Sequence, residues 1–181
     1  MSSLTVQNIQ GSASSSNTIN VASGHKISGN VTHGTGSVFP AGHIIQVKQT
    51  VLPHASTFSS TTTSMVTTGH AVSITPSSTS NKILLNVTCN LYNASGHNIK
   101  VTIVRNHSGI SETDLGTGTD QGFTQLHTPS SAIGSGGAIV FLDSPSTTNE
   151  ITYTVKMRVS GGTGYYNIGG DAVLVAMEVA G

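Results

Sequence analysis

The segment SETDLGTGTD (111–120) places Glu112, Asp114 and Asp120 on one short stretch. Two carboxylates at such a spacing could work as the acid and base of glycoside hydrolysis. Their oxygens could instead hold calcium or a sugar hydroxyl, and the plain alternative is a polar turn. Tyr165, Tyr166 and Asn167 lie in the glycine-rich GGTGYYNIGG. A tyrosine offers a flat apolar body with a polar tip, suited to stacking on a sugar or on a neighbouring subunit. The competing expectation is that one tyrosine plugs the end of a β-sandwich. These five residues (Glu112, Asp114, Tyr165, Tyr166 and Asn167) are the candidate outward contacts.

Eight histidines stand at 25, 33, 43, 54, 70, 97, 107 and 127. None is spaced with a second His, Cys or carboxylate on one strand face, and zinc needs three or four converging ligands. His25, His33 or His43 could meet its copies around a threefold axis, but solvated turn histidines are the simpler reading. Cys89 alternates with apolar residues and reads as a small core side chain, not a nucleophile. The sequence has no Gly-x-Ser-x-Gly elbow, no phosphate-binding GxxxxGK, no GxGxxG and no HExxH. Neither an enzymatic activity nor a metal or other cofactor is expected.

The elements that must carry these residues are strands. Only 8 % of the 181 residues are charged, and seven basic residues cancel seven acidic ones. The chain instead has 26 Ser, 25 Thr and 21 Gly. Hydroxyls therefore replace ions on its wet surfaces, and Thr packs well on a pleat. Neutrality argues against nucleic acid. No apolar run has membrane-spanning length, and the N-terminus lacks the pattern of a signal peptide.

KILLNVTCNLY (82–92), NIKVTIVR (98–105) and EITYTVKMRV (150–159) alternate apolar with polar, the mark of half-buried antiparallel strands. Ile83, Leu85, Val87, Cys89 and Leu91 fall inward on the first of them. STFSSTTTSMVTT (56–68) reads as an edge or outer strand. AIVFLD (138–143) and AVLVAMEVA (172–180) are apolar on both faces, which in a lone sandwich would leave one face wet. The second cover is expected to be a sister subunit, with Ile139, Phe141, Val173, Val175 and Met177 as the candidate interface. Residues 1–37 carry too few apolar side chains to close a core alone, and are expected to form an anchor or intertwined shaft. Residues 38–181 form the head. The fold class is all-β: an antiparallel sandwich or jelly roll, homotrimeric, behind a short extended N-terminal segment.

The phrases SVFPAGHIIQVKQTV, VSITPSSTSNKILLNV, VTIVRN and DSPSTTNEITYTVKMRV, followed by the glycine-rich aromatic loop, resemble a recurrent C-terminal module of phage structural proteins, common in marine and cyanobacterial phages. Such modules are similar to trimeric jelly rolls of the tumour-necrosis-factor and C1q type. The resemblance implies a virion appendage made in the host cytoplasm: a fibre or tail tip that docks on another virion protein through its N-terminal segment and displays its head toward the host surface, with a host-surface glycan as candidate ligand. A capsid decoration or cement protein is the alternative, and a glycan-degrading enzyme ranks below both.

Overall fold

The computed structural model describes residues 40–181, apart from 95, 109 and 117–121. The expected shaft at 1–37, His25, His33 and Asp120 lie outside the described residues. Among the described residues eleven strands follow one another: β1 (Ile44–Leu52), β2 (Phe58–Ser60), β3 (Val66–Ile74), β4 (Lys82–Asn93), β5 (His97–His107), β6 (Ile110–Asp114), β7 (Thr124–Thr128), β8 (Ile133–Asp143), β9 (Ile151–Val159), β10 (Gly164–Tyr166) and β11 (Ala172–Val179). The helical content among the described residues is one 3-10 turn, His54–Ser56.

These strands make two antiparallel sheets. In the first, β4 is the hub. From Ile83 to Asn93 it pairs with β8 on one side; its other side pairs with β11 and then, at the far end, with β10. The short β2 borders β10, and β1 borders β11. In the second sheet the order is β3-β9-β5, and the outer side of β5 pairs with β6 at one end and β7 at the other. Leaving aside the two short strands β2 and β10, the order is β1-β11-β4-β8 facing β3-β9-β5-β6/β7. The chain alternates between the sheets except along β5, β6 and β7, which all lie in the second sheet. That is the double Greek-key path of a jelly roll.

Period-two alternation places the core. Ile151, Tyr153, Val155, Met157 and Val159 of β9 are all fully buried, as are Ile83, Leu85 and Val87 of β4. Each such side chain contributes on the order of 1.5–3 kcal/mol by leaving water. The hydroxyl-rich stretch 56–68 divides into the short edge strand β2, a turn, and the first residues of β3. In β3 the pairing with β9 skips between Thr67 and Ala71, with Gly69 at φ +80°. Thr68 Oγ1 fills the gap by donating to Val155 C=O at 2.8 Å.

Three of the buried polar groups tie distant segments together. Asp143 of β8 accepts from Arg105 Nη1 at 2.7 and 2.9 Å and from Tyr153 O–H at 2.7 Å, joining the two sheets. Burial, and then the Asp143 charge, push the Tyr153 phenol far above its ordinary range. Glu178 of β11 accepts from Ser77 N–H, Asn81 Nδ2 and Gln46 Nε2, each at 2.6 Å, and from Ser77 Oγ. Burial alone would raise its pKa, but these four donors outweigh it and hold the carboxyl below its usual value.

His70 is the third, 2 % exposed. Its Nδ1 lies 2.8 Å from Tyr166 O–H and its Nε2 3.4 Å from Thr50 C=O. A neutral ring with the proton on Nε2 satisfies both partners. Burial lowers its pKa, against a smaller opposing effect of the Thr50 carbonyl. The unfolded chain therefore takes up a proton that the folded one resists. Stability is expected to be full above about pH 6.5 and to fall as the pH drops below it. Glu178 adds a second loss at lower pH, once protonation removes the charge its donors favour. Denaturant melts from pH 7 to 5 check this. His70→Gln should flatten the decline; an equally steep decline in that variant would assign it elsewhere.

A candidate assembly face

Directly paired residues of antiparallel strands share a face, so register decides what the first sheet shows outside. Leu142, Leu84, Met177 and Val47 form one row across β8, β4, β11 and β1. The next row is Val140, Asn86, Val175 and Gln49, and the third is Ala138, Thr88, Val173 and Val51. Ile44 and Val179 extend the face beyond the first row, beside Lys82. Val140 is 67 % exposed and Val47 55 %. Ile44, Val51 and Leu142 are exposed as well; Ile133, the other large apolar residue exposed among those described, begins β8.

The outside of the second sheet has the opposite character. β9 presents Thr152, Thr154, Lys156 and Arg158, β3 presents Ser73, and β5 presents Asn98, Lys100 and Asn106. One side of the sandwich is thus hydroxylated and charged, and the other is aliphatic and nearly uncharged.

Val173, Val175 and Met177 stand on the aliphatic face, half-buried between the flanking strands. Ile139 and Phe141 do not, and the expectation for them is corrected. Ile139 is 4 % exposed inside the core, and Phe141 turns inward against Phe123, ring centroids 4.9 Å apart. The cause is Asp143. It shares their side of β8, and a strand-end acid would ordinarily face water. The Arg105 and Tyr153 partners draw it inside instead, which sends Val140 and Leu142 outward. Sequence reasoning missed those two residues and Val47 and Val51. The available signal was that 138–143 is apolar at both parities, so either set could have been the outer one.

The other candidates separate similarly. Tyr166 is fully buried: it is the plug, bonded to His70 and beside Cys89, whose thiol burial pushes up to about 11. Asn167 is buried at φ +66°, and its Nδ2 donates to the carbonyls of Leu52 and Pro53 at 2.8 Å. Tyr165 points outward and meets Tyr92 edge-on, centroids 5.7 Å apart, at the end of the aliphatic face. Glu112 is exposed and paired with Lys156. Asp114 accepts from Thr102 Oγ1 and, at 2.9 Å, from Gly116 N–H. Among the described residues, His43 included, no three His, Cys, Asp or Glu side chains converge as a metal site requires.

No family model and no curated protein matches the sequence. Among solved structures the chain is similar to the VP2 subviral particle of infectious bursal disease virus, at 10 % identity and a TM-score of 0.40, over 82 % of this chain and 36 % of that one. It is also similar to the structure of the Gx strain of the same virus, at 14 % identity and a TM-score of 0.34, over 84 % and 42 %. The chain spans less than half the length of either.

Proposed function

We propose that this protein is a non-enzymatic structural component of a phage virion that assembles as a homotrimer through the outer face of its β1-β11-β4-β8 sheet. The observation that carries the reading is the contrast between the two outer faces. An aliphatic surface four strands wide is costly to leave in water. A second copy fits it best. The face carries one charge, Lys82 at its end, so it needs no partner of opposite sign and is complementary to itself. The resemblance of the sequence phrases to phage structural modules is what suggests the virion context. In this reading residues 1–37 dock on another virion protein, and the appendage presents its polar side to the host surface as a fibre or tail tip.

The mass in solution tests it. Sedimentation equilibrium of the purified chain should give three times the 18.5 kDa of one copy. A soluble single chain would overturn self-assembly. A single chain that binds stoichiometrically to a shell protein would instead make it a decoration protein using the same face.

A further inference from the structure

The outer side of the second sheet holds a groove of about 530 Å³ between β5, β6 and the start of β9, lined among others by Asn106, Glu112, Asn149, Glu150, Thr152 and Thr154. Apart from the His107 imidazole, its lining contains no aliphatic or aromatic side chain. Thr152 and Thr154 form part of it from adjacent outward positions of β9, and Asn106 stands beside Thr152 on β5. Glu112 is already neutralised by Lys156. Among the described residues, the side chains of Asn106, Asn149 and Glu150 have no hydrogen-bond or ion partner. Two amides, each a donor and an acceptor, and one free carboxylate therefore border a single space together with the hydroxyls of Ser108, Thr152 and Thr154.

The geometry points to this groove as a binding site for a neutral oligosaccharide. Adjacent sugar hydroxyls present donor and acceptor together, and a side-chain amide or a carboxylate pairs with two of them at once. An apolar ligand would find only the His107 ring and side-chain methylene and methyl groups between the polar ones. A polyanion would meet the Glu150 charge. A bound cation would need more ligands than the described residues bring together here. The volume is within the range of small-molecule sites and suits a short stretch of glycan. The groove lies on the sheet opposite the assembly face, so assembly through that face leaves it open. In a trimer three such grooves would act together, and avidity would make weak single-site contacts useful. The inference rests on the host-facing polar side of the proposed function, but the groove lies within one chain and does not require assembly.

Saturation-transfer NMR on the full chain, with a panel of neutral tri- and tetrasaccharides of hexoses and N-acetylhexosamines, tests the site. At least one sugar should receive saturation and be recovered uncleaved. Glu150→Ala and Asn106→Ala should each weaken its apparent affinity at least tenfold, and Val140→Asp should leave single-site affinity unchanged. The idea is overturned if no sugar in the panel is saturated, if both groove variants bind like the parent, if binding requires added calcium, or if the groove instead prefers a lysine-rich peptide. Loss of the sugar signal with a trimeric mass intact would sink the groove alone. A monomer that still binds sugar would sink only the assembly.

Discussion

Asp143→Ala should destabilise the fold by about 3–5 kcal/mol, the range for removing one partner of a buried ion pair. Asp143 is 5 % exposed and Arg105 lies beside it with little access to water. Without the carboxylate, the guanidinium loses both bonds to it and its Nε is already buried without a partner. The Tyr153 hydroxyl, on a fully buried side chain, loses its acceptor too. A domain of this size has about 5–15 kcal/mol in total, so the variant should sit near the edge of folding. Denaturant unfolding reads the loss as a lower midpoint. The triple change Asp143→Leu, Arg105→Met, Tyr153→Phe removes the charge and the orphaned groups together, and should recover most of the stability. A single-variant loss below about 1 kcal/mol would mean that water reaches the network and that it does not clamp the sheets.

Val140→Asp should abolish assembly while leaving the fold unchanged. Val140 is 67 % exposed in the single chain, so a carboxylate there stays hydrated and costs the monomer little. In an assembled face the same carboxylate would be desolvated opposite aliphatic side chains with no donor, a penalty of several kcal/mol at each copy. Sedimentation should move from the oligomer to the mass of one chain, with an unchanged β-sheet circular dichroism spectrum. Charged substitutions at Val173 or Val175 should act the same way, with some added loss of stability because those side chains are half-buried. An oligomer of unchanged mass in Val140→Asp would remove the aliphatic face from the assembly. The inward neighbour is the control: Ile139→Asp should unfold the chain instead of dissociating it, because Ile139 is in the core.

Where polar residues alternate with apolar ones, the amino-acid sequence determined the outcome by itself. In β9 a hydroxyl or charge at every second position, and in β4 and β5 a polar residue at most of them, leaves one parity that can be buried, and the inward sets of KILLNVTCNLY and EITYTVKMRV are those in the core. The scarcity of charge and the spacing of turns likewise fixed an all-β sandwich. Tertiary structure decided the rest, because each remaining choice depended on a partner far along the chain. The apolar parities of β8 are equivalent until Arg105 and Tyr153 claim Asp143 and Phe123 meets Phe141. Adjacent Tyr165 and Tyr166 differ only once the latter reaches His70, 96 residues away. Glu178 can be buried because Gln46, Ser77 and Asn81 arrive from two other segments. Strand order, and with it the four-strand aliphatic surface, follows from pairings that local periodicity does not encode. A period-two pattern says which residues share a side of one strand, but only register across strands says what that side faces.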